Sequence, residues 1–124
     1  MKSLFLDTSY LIALEAHDDL HHNSSQVHWK ALIADMQPLV TSTWIFDEVV
    51  TFFNTRNKHG KAVEIGNRLL QSSLVTMVPV DSILFRKGWE VFKQYDDKSF
   101  SLTDCISFVI MRDREITEVL TLNS

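Results

Sequence analysis

Lys2-Ser3-Leu4-Phe5-Leu6-Asp7-Thr8-Ser9 decides the fold. Its apolar core, Leu4-Phe5-Leu6, is too brief for a helix and suits a buried parallel strand. Asp7 ends that run, and Thr8 or Ser9 can then cap a helix from Tyr10 to Ala16. A carboxylate at this handover stands at the carboxyl end of a strand, where ligands bind in parallel sheets.

The same alternation repeats outward from this segment. His17 to His22 reads as a polar turn, and Ser24 or Ser25 opens a helix that stops before Pro38. Leu39 to Ser42 is a second strand, followed by a helix from Trp44 to Lys58 closed by Gly60. Lys61 to Gln71 is another helix, with Val63, Ile65, Leu69 and Leu70 as its apolar face. Leu74 to Val80 is a third strand, and Asp81 or Ser82 caps a helix through Tyr95. Asp96-Asp97-Lys98-Ser99 forms a loop, Ser101 to Arg114 a well-buried helix, and Glu118 to Leu122 a last strand. Strands alternating with helices predict an α/β fold, a parallel sheet of about four strands covered on both faces.

Composition limits the rest. A chain of 124 residues, 45% hydrophobic and 23% charged, is one globular domain with a real core. Three Gly and two Pro leave little room for linkers, so the domain is expected to span residues 1–124. The lone Cys105 excludes a disulfide framework, and no Cys/His spacing resembles a zinc site. The apolar start is too short for a signal peptide or a membrane span, so a soluble cytoplasmic protein is expected. A net charge of −4 disfavours nucleic-acid binding by bulk attraction, but not a nuclease whose carboxylates take cations.

Two further acids share the setting of Asp7. Glu48 lies within Ile45-Phe46-Asp47-Glu48-Val49-Val50, beside the apolar stripe of Ile45, Val49, Phe52 and Phe53, and Asp47 faces the other way. Asp104 opens Thr103-Asp104-Cys105-Ile106-Ser107-Phe108, although Ser101-Leu102-Thr103-Asp104 also resembles a capping box. Singly, each has a plain structural explanation. If the three converge to about 4 Å, each pair repels by about 4 kcal/mol at an effective dielectric near 20. A domain stable by about 5–15 kcal/mol would not easily tolerate that without a cation or raised carboxyl pKa values, and Mg²⁺ or Mn²⁺ is the natural partner of oxygen ligands. Asp7, Glu48 and Asp104 are therefore the candidate catalytic and metal-binding residues.

At these positions the chain resembles the PIN-domain nucleases, specifically the VapC-type toxins of bacterial toxin–antitoxin pairs. The likeness lies in Phe5-Leu6-Asp7-Thr8-Ser9, in Thr41 through Val50, and in Leu102 through Met111. It covers nearly the whole chain in order. The resemblance implies a three-layer α/β/α fold and Mg²⁺- or Mn²⁺-dependent endonuclease action on RNA. It further implies that Asp7 and Asp104 are the principal ligands and that Glu48 completes the cluster. Thr8, Ser9 and Thr103 would orient the carboxylates or a phosphate. Such toxins commonly dimerise and are held inactive by a cognate antitoxin. The family usually carries a fourth acid just after the last strand; here Asn123 stands at or near that place and the usual tail is absent.

Other readings are weaker. A PIN-like module that binds RNA or protein without turnover is the main alternative, favoured by Asn123. A phospho-accepting receiver domain lacks its acid pair and its lysine after the last strand. His17 and His21 are four apart but have no third well-spaced ligand, so a solvated turn is expected there. Trp29, Trp44, Phe52, Phe53, Trp89 and Phe92 read as core and packing surface.

Overall fold

The structure, a computed structural model, describes residues 1–122. Within them four strands and six helices run in the order β1 (Leu4–Leu6), α1 (Thr8–Glu15), α2 (His22–Ala34), β2 (Leu39–Ser42), α3 (Thr43–Asn54), α4 (His59–Gln71), β3 (Val75–Val78), α5 (Ser82–Gln94), α6 (Leu102–Asp113) and β4 (Val119–Leu120). The sheet is wholly parallel, with spatial order β3-β2-β1-β4, and helices flank it to give three α/β/α layers. Because β1 is central, Phe5 and Leu6 are fully buried, and β2 is buried at all four positions. This is why β1 reads as a continuous apolar run rather than as an alternating pattern, while β2 buries the hydroxyls of Thr41 and Ser42 along with Leu39 and Val40.

The first and last strands are neighbours. Phe5 pairs with Val119 and Leu6 with Leu120, so the residues that follow each strand, Asp7 and Thr121, emerge side by side. The Asp7 amide donates to the Leu120 carbonyl at 3.0 Å and fixes that register.

Three helix ends close without glycine. Asn57 (φ 60°), Met36 (φ 54°) and Glu115 (φ 56°) take left-handed conformations. After Asn57 the Lys58 amide donates back to the Phe53 carbonyl at 3.0 Å, and the Asn57 amide to that of Asn54 at 3.2 Å. This is the Schellman arrangement. It corrects the expected stop at Gly60, which instead lies in the first turn of α4. An Asn side chain tolerates the left-handed region, so the helix turns three residues earlier. The apolar face of α4 also shifts: Ala62, Ile65, Gly66 and Leu69 are buried, whereas Val63 and Leu70 border an open cavity of about 330 Å³ between α3 and α4.

The region around the histidines is less solvated than expected. His22 is buried in the first turn of α2, its Nδ1 2.9 Å from the Ala13 carbonyl oxygen, with the His17 ring edge-on to it at 4.8 Å. Tyr10 on α1 is buried, and its hydroxyl lies 2.8 Å from His28 Nδ1. Burial pushes the Tyr10 phenol up from 10.0 to about 12. The unfolded chain therefore releases this proton first, so stability is intact below pH 10 and falls as pH rises toward 12. Urea denaturation across that range should show the fall, worth about 2–3 kcal/mol at most. Tyr10→Phe should flatten it while losing about 1 kcal/mol at neutral pH with the hydrogen bond.

Of the aromatic residues expected in the core, Phe53 is buried and Trp29, Trp44 and Phe52 pack against the core in part. Trp89 and Phe92 stack on each other at 5.5 Å on the exposed side of α5. Helices α5 and α6 pack closely, and Lys87 reaches Asp113 across them at 3.2 Å. Hydrogen bonding from Lys87, then from Arg112, holds the Asp113 carboxyl below the usual carboxylate range.

Candidate active site

Asp7 and Asp104 line one cavity of about 470 Å³ at the carboxyl end of β1. Asp7 reaches it because β1 ends at Leu6 and α1 begins at Thr8. It occupies the N-cap position of α1, yet its side chain makes no capping bond. Its Oδ2 instead accepts from the Thr121 hydroxyl at 2.8 Å, with the Ser9 hydroxyl 3.5 Å away. Ser9 also stands 3.1 Å from Thr121 Oγ1 and accepts from the Leu122 amide at 2.9 Å. These bonds tie the mouth of β1 to the segment following β4 and set the direction of the Asp7 carboxylate.

Asp104 caps its helix and also lines the cavity. Its amide donates to Ser101 Oγ at 3.0 Å while its Oδ2 accepts from the Ser101 amide at 3.0 Å, a complete capping box. The carboxylate is thereby locked at the start of α6 while it lines the cavity with Ser107. Next to it, burial pushes the Cys105 thiol up, and the Asp104 charge adds to this, as expected of an inert buried cysteine.

Glu48 differs from expectation. It was placed facing inward at the edge of the α3 stripe, but it is exposed, while Ile45, Val49 and Phe53 form the buried stripe. Its Oε1 accepts from the Thr8 hydroxyl at 2.5 Å, which links α3 to the start of α1. Among the described residues no three His, Cys, Asp or Glu side chains come close enough to hold a metal ion. The arrangement is a carboxylate pair in one cavity, with Glu48 joined to the residue next to Asp7. Thr103 is half-buried, and its carbonyl accepts from the Ser107 hydroxyl at 3.0 Å. Asn123 lies outside the described residues.

The oxygen ligands that line the cavity are carboxylates and the hydroxyls of Ser99, Ser107 and Thr121, with no thiol or imidazole among the lining residues. That set fits a hard divalent cation that keeps much of its water shell, since Mg²⁺ sites commonly use one or two carboxylates plus substrate phosphate. Thr121, Lys98 and Phe100 are among the lining residues that the sequence reading missed. Thr121 had a signal: it follows the last strand as Asp7 follows the first.

Comparison with known proteins agrees with this geometry. The model of the PIN domain family matches residues 4–124. The chain is similar to the 23S rRNA-specific endonuclease VapC20 of Mycobacterium tuberculosis, with 32% identity over 114 residues, covering 91% of this chain and 83% of that protein. The same protein from a second strain matches equally. The crystal structure of VapC20, described as a Sarcin-Ricin loop cleaving toxin, superposes with a TM-score of 0.83 at 28% identity, over 97% of this chain and 89% of that one. No helix among the described residues is long and apolar enough to cross a membrane. With the family match running over nearly its full length and the fold superposing on that of VapC20, the chain belongs to the PIN-domain family and is VapC-like within it.

Proposed function

We propose that this protein is a Mg²⁺-dependent (or Mn²⁺-dependent) endoribonuclease that hydrolyses RNA phosphodiester bonds, the toxin of a toxin–antitoxin pair. The observation that carries this reading is the pairing of Asp7 and Asp104 in one cavity at the carboxyl end of the central strand. Asp7 and Asp104 would hold the cation. When bound, such an ion neutralises phosphate charge and lowers the pKa of a coordinated water.

The protein's own part is orientation. Thr121 and Ser9 aim the Asp7 carboxylate, and the Ser101 amide aims that of Asp104, so neither must reorganise when substrate arrives. Glu48, exposed and held by Thr8, would take the proton of the attacking water or orient that water. Thr8, Ser9 and Thr103 act as positioning residues around these acids. The description of VapC20 as a toxin that cleaves the sarcin–ricin loop supports structured RNA loops as the substrates to try first. Family membership further supports a cognate antitoxin, a homodimer and action in the cytoplasm.

One observation favours a second reading, a PIN-like module that binds without turnover: no three-ligand cluster forms among the described residues. The two readings separate in one experiment. Incubated with a sarcin–ricin-type hairpin RNA, the protein should cleave in Mg²⁺ or Mn²⁺, leave 5′-phosphate ends and stop in EDTA. Cleavage that persists unchanged in EDTA refutes the metal-dependent reading. Thermal stabilisation by Mg²⁺ with every RNA left intact supports the binding module.

A further inference from the structure

Phe100, Phe108, Met111 and Val119 line the cavity beside the carboxylates, and Lys98 stands among the lining residues. Phe108 is 38% exposed on a helix whose other large apolar residues are mostly buried. Its ring meets that of Phe100 edge-to-face at 5.0 Å and 84°, and Phe100 meets Tyr95 at 5.5 Å and 85°. A chain of mutually perpendicular rings restrains each partner, so a ligand that packs on this wall orders little that is not already ordered.

We propose that this aromatic wall stacks a nucleobase beside the bond to be cut, so that the site selects RNA whose base has left its own stack. The proposal rests on the ribonuclease reading for the position of the phosphate and deepens it by naming the form of RNA accepted. Three features favour a base as occupant. The cavity, about 470 Å³, lies at the low end of the roughly 300–1,000 Å³ typical of small-ligand sites, which suits one nucleotide. Its lining carries both kinds of group that a nucleotide would meet: oxygen ligands for a cation that meets phosphate, and aromatic rings for a base. Lys98 supplies a positive group at the same cavity in a chain of net charge −4, where a flanking phosphate would meet it.

The test is a binding measurement in an Asp7→Asn background with EDTA, which separates recognition from cleavage. The probes are a fluorescein-labelled hairpin RNA with an open loop, the same hairpin with each loop nucleotide in turn made abasic, and a blunt duplex. The open loop should bind tighter than the duplex, and one abasic position should weaken it by about 5- to 150-fold, as expected for one lost stack. Phe108→Leu, which keeps apolar volume but not a ring face, should erase most of that difference, and Phe108→Tyr should keep it. Circular dichroism confirms that each variant is folded. The proposal is overturned if no abasic position matters, or if Phe108→Leu and Phe100→Leu both bind all probes like the parent. Cleavage by the wild-type chain that is equal on intact and abasic loops sinks this inference alone. Weaker binding at an abasic position with no cleavage of any RNA sinks the ribonuclease reading and leaves the stacking wall standing.

Discussion

Asp7→Asn is expected to slow RNA cleavage by about 10²–10⁴-fold, the several kcal/mol attributable to a cation and its preorganised ligand in a transition state, while the protein stays folded. The substitution isolates charge from shape. An asparagine oxygen can still accept from the Thr121 hydroxyl, and no helix cap is lost because Asp7 makes none. Asp7 and Asp104 line the same cavity, so in EDTA the variant also relieves carboxylate repulsion. Its melting temperature in EDTA should therefore equal or exceed that of the parent. The measurement pairs single-turnover cleavage in Mg²⁺ with thermal denaturation in EDTA. Full activity, or a cleavage loss matched by unfolding, would refute the role given to Asp7.

The largest expected effect on stability comes from a methyl group. Gly88 is the buried residue of α5, and a Cβ built there would lie 2.4 Å from Ile106 Cγ1 and 3.4 Å from Ile106 Cα on α6. In an exposed helix Gly→Ala gains about 1 kcal/mol. Here Ile106 is fully buried and β-branched, so it has little freedom to turn aside. Overpacking should dominate, making Gly88→Ala destabilising by about 1–3 kcal/mol and lowering the melting temperature by about 4–12 °C. Ile106→Ala should rescue part of that loss in the double variant, a coupling of about 0.5 kcal/mol or more. Cleavage should fall as well, because α6 carries Asp104. An unchanged or raised melting temperature refutes the clash.

What could be read from the sequence followed the range of the forces involved. β2 was legible to the residue, Leu39–Ser42, because Pro38 stops the preceding helix and Ser42 caps the next one, which bounds the strand on both sides by local signals. The capping boundary at Ser101 was legible for the same local reason. Gly60 misled because left-handed helix exits are usually glycine, whereas here Asn57 takes that conformation. The inward aim assigned to Glu48 failed because helical phase locates a residue at the edge of a stripe without fixing its side chain. Thr8, on another element, supplies the partner that draws it outward. Phe108 was legible as a neighbour of Asp104 one helical turn away, whereas the hydroxyl of Thr121 and the ring of Phe100 went unread because only strand register and the course of the segment before α6 bring them to the acids.

The bond from Thr121 to Asp7 joins positions 114 apart in the chain. A ribosome making this protein exposes Asp7 early, but the hydroxyl that aims it emerges only after β4 has been translated. The nascent polypeptide thus carries its first acid without the group that orients it, and the scissors are assembled by the last closure of the sheet. Fraying of that two-residue strand would part the carboxylate from the hydroxyl that aims it.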